Sequence, residues 1–392
     1  MTPAGTLADV SPALAAAVGV DGFTDGLGIG LGIGEARGVA LLLVDGLGAE
    51  LLAEHAHHAP VLAELASGGR TLRAGVPATT AVSVASLGTG LPSGEHGIVG
   101  YSMGVPPLDD PDAPADRVLN TLRWCAHGST DPVDLRRELP PERVQAAPTV
   151  MERATRAGVA VTTIAPEIQR RSGLTRAALR GGRFHGVSAL GDLAAAVLAA
   201  LGSGPAAERA FCYAYHGDLD MLGHAHGPGS RPWLLQLGIV DRLVAIIAED
   251  LPADTVLAVV ADHGMVGTDA GWQVDLDTTP ALLGGVRRLA GEARVRHVFV
   301  ADGALDDVLA AWRGELGDAA WVRTREEAIA EGWFGDRVTD VAHGRIGHVV
   351  AAARDNWTLV RSRIEPMETS LVGHHGSLTD AEQLVPLLLA RG

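Results

Sequence analysis

Four apolar runs along the chain have the pattern of strands that are buried inside a sheet. They cover residues Gly38–Val44, 159–164, 210–215 and Thr255–Val260. A short, continuous apolar run is typical of a parallel strand whose two faces are both covered. Segments with the apolar spacing of helices accompany these runs, at residues 49–66, 193–201 and 233–247. Because strands alternate with helices, the pattern predicts an α/β fold with a doubly wound, mostly parallel sheet sandwiched by helices.

A further group of elements follows the last of these four runs. Residues 297–300 are strand-like, and Leu305–Leu316 has helical spacing. We therefore expect a small α/β cap inserted at residues 272–345. The core would then consist of a first part at residues 1–271 and a closing part at residues 346–392.

Local signals predict the structure of two other segments. Residues 104–116 are rich in Gly, Pro and Asp, which predicts a loop. The segment of residues 379–390 begins with Thr379 and has Glu382 three positions later, which is the sequence pattern of a capping box. We therefore expect a final helix over residues 379–390.

The composition is that of a folded, acidic protein. The chain has 392 residues, of which 47% are hydrophobic, and this is enough for one large domain with an insertion or for two ordinary domains. It has 31 basic and 47 acidic residues, which gives a formal net charge of −16. A negative field of this size disfavours nucleic-acid polymers as partners. All the basic residues are Arg, because the sequence contains no Lys, and this excludes catalysis through a lysine Schiff base.

The cysteines and the apolar segments bear on where the protein works. The two cysteines, Cys125 and Cys212, cannot form a disulfide framework or a cysteine-rich metal site. The first twenty residues lack the pattern of a signal peptide, and no apolar run is long enough to span a bilayer. We therefore expect a soluble, cytoplasmic protein with no membrane partner. The oligomeric state stays open.

Carboxylate and imidazole side chains follow three of the predicted strands at the point where each strand ends. Asp45 follows the first run, Asp220 and His224 follow the third, and Asp262 with His263 follows the fourth. Ligands in open α/β sheets bind beyond the carboxyl ends of the strands. Carboxylate oxygens and imidazole nitrogens are ligands that zinc and similar divalent ions take. The pattern predicts a metal site at this edge, to which the later pair His374-His375 could also contribute.

Two threonines, Thr79 and Thr80, precede a helical segment of small residues that ends near Thr89-Gly90. A hydroxyl in this position is ordinarily an N-cap. The start of a helix is also an anion site, because its free N–H groups point towards the ligand. A divalent cation close by would help such a hydroxyl to lose its proton. One of the two threonines is therefore a candidate nucleophile that faces a bound phosphate.

With these motifs the chain resembles the nucleotide pyrophosphatase/phosphodiesterase (type I phosphodiesterase) branch of the alkaline phosphatase superfamily. The resemblance extends from about residue 38 to residue 390 and follows the order of motifs in that family. The matching motifs are Val44-Asp45-Gly46, Thr80 with the segment from Thr89 to Gly100, the segment from Asp220 to Pro228, Ala261-Asp262-His263-Gly264-Met265, and Gly373-His374-His375-Gly376.

The resemblance implies an alkaline phosphatase-like core with two divalent metal ions, expected to be zinc. One ion would be held by Asp220, His224 and His375. The other would be held by Asp45, Asp262, His263 and the nucleophile Thr80. The count back from Thr89-Gly90 selects Thr80 over Thr79, and the pairing of His with Gly selects His375 over His374; both alternatives stay open.

Two positions depart from the family pattern. Where the nucleotide pyrophosphatases have Phe-Pro-Asn-His after the nucleophile, this chain has Ala81-Val82-Ser83-Val84. The phosphate-binding Asn of that family falls at Tyr101. A phosphoryl oxygen would therefore be bound by the Thr80 backbone amide, by another donor or by an Arg.

The resemblance implies a metal-dependent hydrolase of phosphodiester or pyrophosphate bonds that acts through a covalent phospho-threonine intermediate. The substrate would be a small phosphate ester such as a nucleotide. Alternatives on the same metal core are an alkaline phosphomonoesterase and a phosphonate hydrolase. An alternative of another class is an inactive, metal-stabilised binding protein.

Overall fold

The computed structural model describes residues 4–29, 34–108, 117–128, 133–202 and 209–392. In chain order, the helices in this part are α1 (Val10–Ala17), α2 (Ala49–Glu54), α3 (Pro60–Ser67), α4 (Thr80–Thr89), α5 (Ser93–His96), α6 (Pro141–Val144), α7 (Val150–Arg156), α8 (Gly173–Ala178), α9 (Leu190–Gly202), α10 (Asp218–His226), α11 (Arg231–Glu249), α12 (Leu305–Leu316), α13 (Arg325–Ala330), α14 (Asp340–Arg345), α15 (Pro366–Thr369) and α16 (Asp380–Gln383).

The strands are, in the same order, β1 (Gly38–Val44), β2 (Arg70–Arg73), β3 (Ser102–Val105), β4 (Arg117–Asn120), β5 (Cys125–Ala126), β6 (Ala160–Pro166), β7 (Arg183–Val187), β8 (Ala210–His216), β9 (Thr255–Val260), β10 (Val266–Gly267), β11 (Gln273–Asp275), β12 (Val286–Gly291), β13 (Val295–Val300), β14 (Ala320–Thr324), β15 (Val349–Ala353), β16 (Thr358–Val360), β17 (Gly373–His374) and β18 (Leu384–Arg391). Single 3₁₀ turns lie at Leu7–Asp9, Ala56–His58, Glu167–Arg171, Ala270–Trp272, Leu276–Thr278, Pro280–Leu282 and Gly317–Ala319.

The central sheet has the strand order β2-β18-β9-β1-β8-β6-β7. Strands β9, β1, β8, β6 and β7 are parallel, and β18 runs antiparallel to its two neighbours. Every residue of β1 and β9 is buried, as their continuous apolar runs predict. The predicted α/β fold is confirmed.

The register of the central strands brings three strand ends to the same edge. Val44 at the end of β1 pairs with His216 at the end of β8, and Leu43 pairs with Val260 at the end of β9. The residues that follow these three strands therefore leave the sheet side by side. This is the edge at which open α/β sheets bind their ligands.

The helices confirm two predictions and correct a third. Helices α9 and α11 contain the predicted segments 193–201 and 233–247. The single helix predicted over residues 49–66 is wrong, because α2 ends at Glu54 and α3 begins at Pro60. Proline has no N–H to donate and its ring clashes with the carbonyl four residues earlier, so it begins a helix and does not continue one.

The predicted final helix over residues 379–390 is also wrong. Helix α16 has only four residues, and the chain continues as strand β18. Pro386 would break a helix here, whereas the sheet accepts it: it pairs with Thr71 of β2, and pairing with β9 begins only at Leu387. The apolar run after Glu382 was therefore a buried strand.

Glu382, predicted to cap that helix, instead forms a buried ion pair with Arg294. The Arg294 guanidinium donates from Nε to Oε1 at 2.9 Å and from Nη2 to Oε2 at 2.7 Å, and both side chains are fully buried. Arg294 also donates to the backbone carbonyls of Asp355 and Trp357. The pair thereby joins the start of β13 to the segment that leads into β18.

Substitution of Arg294 by Ala should destabilise the protein by about 3–5 kcal/mol, because the Glu382 carboxylate would stay buried without its partner. Urea unfolding measures this change. The matched control is Arg242→Ala, since Arg242 pairs with Glu249 in solvent and both side chains are more than half exposed. The control should cost less than about 1 kcal/mol. Equal losses for the two variants would contradict the assignment.

Residues after β9 form a second sheet, which has four antiparallel strands in the order β12-β13-β15-β14. The predicted strand at residues 297–300 and the predicted helix Leu305–Leu316 are confirmed as β13 and α12. Trp312 of α12 is fully buried in an apolar cluster that is separate from the main core and includes residues of this sheet. Strand β15 lies beyond residue 345, the predicted end of the cap, and the division into core and cap stays a prediction.

Two smaller points complete the comparison. Gly104 and Val105 belong to β3, so the predicted loop at residues 104–116 begins later than expected. Residues 109–116 lie outside the described residues. Across the described ranges, none of the helices combines the length and the apolar character that crossing a membrane requires.

Candidate active site

The predicted ligands come together at the carboxyl edge of the central sheet. Asp45 follows β1, and Asp262 with His263 follows β9. Asp220 and His224 lie one turn apart on α10, which begins directly after β8. His375 follows the short strand β17. This strand pairs with β10, which comes after β9 in the chain. The six carboxylate and imidazole side chains among the predicted ligands are buried or mostly buried.

Asp220, His224 and His375 form the first of two groups whose ligand atoms lie close enough to hold one ion. His224 Nε2 lies 3.4 Å from Asp220 Oδ2, and His375 Nε2 lies 3.2 Å from His224 Nε2. His375 Nε2 is also 3.8 Å from Asp220 Oδ1. The alternative histidine, His374, directs its Nε2 to the carbonyl of Leu371 at 3.2 Å and does not join this group.

The second group centres on His263. Its Nε2 lies 3.3 Å from Asp45 Oδ1, 3.4 Å from Asp262 Oδ2 and 3.3 Å from Thr80 Oγ1. The residues predicted for the second ion thus surround one nitrogen. Asp220 also lies within reach of Asp45 and His263, so its carboxylate stands between the two groups. The family resemblance implies Asp220 as a ligand of the first ion alone.

Backbone carbonyls orient all three imidazoles. His224 Nδ1 lies 2.7 Å from the carbonyl oxygen of Gly373, His263 Nδ1 3.0 Å from that of Gly264, and His375 Nδ1 2.9 Å from that of Ala78. Because a carbonyl oxygen only accepts, Nδ1 carries the proton in each ring. In the neutral form of a ring held in this way the lone pair lies on Nε2, which is the arrangement of metal-ligating histidines.

The carboxylates have buried oxygens that no described residue satisfies. Asp45 Oδ1, Asp220 Oδ1 and Asp262 Oδ2 are buried without a hydrogen-bond partner. Burial and the neighbouring Asp262 and Asp220 hold the pKa of Asp45 well above its usual range. Burial, together with the neighbouring His263 and His224, lowers the pKa of His375 well below that of a free imidazole. Buried carboxylate oxygens that face neutral imidazole nitrogens fit divalent cations, which would compensate the crowded negative charge.

Thr80 and Thr79 have different surroundings at the start of α4. Thr80 is the first residue of the helix, and its Oγ1 faces His263. Thr79 is the N-cap residue, is buried, and has its side chain beside that of Glu292. The hydroxyl of Thr80 is therefore the one that faces the candidate metal ligands, and the choice of Thr80 over Thr79 as nucleophile stays a prediction.

Two cavities adjoin Thr80 and Asp220. The glutamate cavity, of about 190 Å³, is also lined by Tyr101, Glu292, Glu365 and Glu368. The tyrosine cavity, of about 240 Å³, is also lined by Leu122, Gln169, Ser172, Thr175, Leu179, Tyr213 and Tyr215. No arginine lines either cavity within the described residues, which leaves the binding of a phosphoryl oxygen to other donors.

Sequence reasoning missed two residues of this site. The Tyr215 hydroxyl donates a hydrogen bond to Asp45 Oδ2 at 2.6 Å. Glu292, between β12 and β13, has a buried Oε1 without a hydrogen-bond partner, and burial raises its pKa to about 8. No local motif marks either one. For Tyr215 the available signal was its spacing from Tyr213, because residues two apart on a strand place their hydroxyl groups on the same face.

Tyr101, at the position of the family's phosphate-binding Asn, lines the glutamate cavity together with Thr80. Burial raises the pKa of Tyr101 to about 12, so the phenol keeps its proton and can donate a hydrogen bond. Its hydroxyl lies 3.4 Å from Glu368 Oε1. Behind this cavity, the Arg296 guanidinium and His127 hold the carboxylate of Glu365, which is almost fully buried.

Comparison with known proteins decides the family. Residues 39–378 match the sequence model of the type I phosphodiesterase / nucleotide pyrophosphatase family. The chain belongs to this family. It is therefore a phosphoester hydrolase by descent, and the six predicted ligand positions all lie within the matched residues. No curated protein sequence gives a significant match.

Solved structures of this family and its superfamily share the fold. An inactive variant of murine ectonucleotide pyrophosphatase / phosphodiesterase 5, in complex with AMP, is 18% identical, with a TM-score of 0.67; the match covers 90% of this chain and 87% of that one. Phosphonoacetate hydrolase from Sinorhizobium meliloti 1021, in complex with phosphonoformate, is 19% identical, with a TM-score of 0.65, and the match covers 91% and 90% of the two chains. At this identity the likeness concerns the fold.

Proposed function

We propose that this phosphodiesterase-family enzyme cleaves small phosphodiesters or pyrophosphates, with Thr80 as the nucleophile beside two bound zinc ions. The observation that carries the proposal is the position of the Thr80 hydroxyl. It lies 3.3 Å from His263 Nε2, among unsatisfied carboxylate oxygens, and it faces both cavities. A nucleotide is one candidate substrate, since the murine relative binds AMP.

Asp220, His224 and His375 would hold one ion, and Asp45, Asp262 and His263 the other. This set of carboxylate oxygens and imidazole nitrogens is one that zinc takes. Bound there, the two cations would stabilise negative charge on the phosphoryl group and lower the pKa of the neighbouring hydroxyl.

The chain's own residues would divide the reaction into two displacements. Thr80 Oγ1 forms a bond to phosphorus while the bond to the leaving alcohol or phosphate breaks, which gives a phospho-threonine ester. Water then attacks the same phosphorus, releases the second product and restores the Thr80 hydroxyl. Thr80 and Ala81 are the first two residues of α4. Because the helix has no carbonyl four residues before them, their backbone N–H groups can bind a phosphoryl oxygen.

The two cavities favour a diester over a monoester. A phosphodiester carries two substituents on one phosphorus, and Thr80 adjoins two cavities of similar volume that also share Leu122 and Asp220. A monoester would leave one of them without a substrate group to bind. We therefore place one substituent in the glutamate cavity and the other in the tyrosine cavity.

A side-by-side assay tests this proposal. Bis(p-nitrophenyl) phosphate should be hydrolysed with a kcat/KM about 100-fold higher than that of p-nitrophenyl phosphate. This is the scale on which binding an additional substrate group in a pocket raises kcat/KM. A preference for the monoester would indicate an alkaline phosphomonoesterase. Release of phosphate from phosphonoacetate, with neither ester cleaved, would indicate a phosphonate hydrolase. No turnover of any of the three would favour a binding protein.

A further inference from the structure

The hydrogen bond between Tyr215 and Asp45 joins two neighbouring strands at the site. Tyr215 stands on β8 in register with Leu43 of β1, and Asp45 follows that strand. The Tyr215 hydroxyl donates to Asp45 Oδ2 at 2.6 Å. The other oxygen of the same carboxylate, Oδ1, is buried without a hydrogen-bond partner among the described residues and lies 3.3 Å from His263 Nε2. One oxygen is thus held, and the other faces the proposed metal.

In Asp262, too, one carboxylate oxygen accepts hydrogen bonds and the other has none, but the donors differ. Its Oδ1 accepts from the backbone N–H groups of Gly46 and His263, both at 3.1 Å, and its Oδ2 is the oxygen without a partner. Backbone donors hold the carboxylate of Asp262, whereas a side-chain hydroxyl holds that of Asp45. The orientation of Asp45 therefore depends on a group that a single substitution can remove.

We propose that Tyr215 is a positioning residue for the metal site: its hydroxyl fixes the Asp45 carboxylate so that Oδ1 points to the ion held with His263. A carboxylate that is fixed before the ion binds loses less rotational freedom on binding. Hydrogen bonds that orient metal ligands in this way are worth a factor of 10–100 in metal affinity. The inference rests on the metal site of the proposed function.

Gly217 supplies an independent way to disturb the same hydrogen bond. A Cβ added at position 217 would lie 2.6 Å from the Tyr215 hydroxyl oxygen and 3.1 Å from two atoms of its ring. The backbone of Gly217 has φ −112° and ψ −3°, so its φ is negative and lies outside the left-handed region that favours glycine. Substitution by Ala would therefore act by displacing the Tyr215 ring, because the ring is rigid and cannot bend away from the new methyl group.

The experiment compares four metal-free proteins: wild type, Tyr215→Phe, Gly217→Ala and the matched control Tyr213→Phe. Tyr213 is buried on the same face of β8, and its hydroxyl does not donate to Asp45. Each protein is titrated with Zn²⁺ in competition with a chromophoric chelator, after thermal unfolding has shown that it is folded. We expect Tyr215→Phe to weaken one of the two zinc sites by about 10–100-fold. Gly217→Ala should weaken the same site, and Tyr213→Phe should stay within about twofold of wild type.

Turnover of bis(p-nitrophenyl) phosphate at rising free zinc gives a second readout. Activity of Tyr215→Phe should recover towards that of wild type, since the defect is one of affinity, and a purely structural defect would not respond to zinc. Wild-type zinc affinity in both Tyr215→Phe and Gly217→Ala would overturn the inference while leaving the metal site intact. Absence of zinc binding in the wild type would instead overturn the metal site, and the role of Tyr215 with it.

Discussion

Replacing Thr80 by Ala is expected to lower turnover by roughly 10⁴–10⁶-fold, the scale on which enzymes lose activity with their nucleophile. The variant should still fold, because the Thr80 hydroxyl faces His263 and not the helix backbone, and Ala is the better helix former. It should also keep most of its zinc, since six other side chains carry the ligand atoms. Steady-state kinetics, metal analysis and thermal unfolding measure the three quantities.

Two further variants make the Thr80 prediction specific. Thr80→Ser keeps a hydroxyl of the same reach and should retain part of the activity. Thr79→Ala removes the neighbouring hydroxyl, which lies beside Glu292, and should lose far less activity than Thr80→Ala. Rapid-quench mass spectrometry of the wild type should find the phosphorylated adduct on the peptide that contains Thr80. If Thr79→Ala is the inactive variant, the register is wrong by one residue; if both are active, no covalent threonine intermediate forms.

Removal of metal is expected to abolish hydrolysis, and readdition of zinc to restore it. Three buried carboxylate oxygens at the site have no hydrogen-bond partner among the described residues, and without cations nothing there would compensate their negative charge. Purified protein should carry close to two zinc ions per chain by elemental analysis. Zinc at 100 times its dissociation constant should also stabilise the metal-free protein by about 2.7 kcal/mol, because the folded state alone presents the assembled site.

The adjacent histidines His374 and His375 provide a matched pair for this prediction. Both are buried, but only His375 directs Nε2 to His224. His375→Ala should therefore lower the zinc content towards one ion per chain, and His374→Ala should keep two. Full activity after exhaustive chelation would contradict metal dependence. Equal loss of zinc in the two variants would show that the effect is general destabilisation and not ligation.

Short-range patterns were reliable where one local preference acted alone. The buried runs that became β1 and β9 and the periodic segment that became α12 were predicted within their observed bounds. Predictions failed where two local signals competed. In residues 49–66 the apolar spacing concealed the helix start at Pro60, and in residues 379–390 the capping pattern concealed the strand behind it.

The sequence by itself predicted the family and the residue types of the candidate site. The order of its motifs identified the family that residues 39–378 match, and it named the donors Asp45, Asp262 and His263 that converge around Thr80. This was possible because ligand types and their spacing are written in short segments, each of which lies at the end of a strand or the start of a helix.

Only the tertiary structure decided how these segments share one site. It placed Asp220 between both ligand groups, set Tyr215 against Asp45 from 170 residues away, and brought Glu292 to Thr79. Those contacts depend on the order and register of strands in the sheet, because pairing β1 with β8 and β9 aligns their ends. Strand order and register result from the packing of the whole chain, so no local pattern contains them.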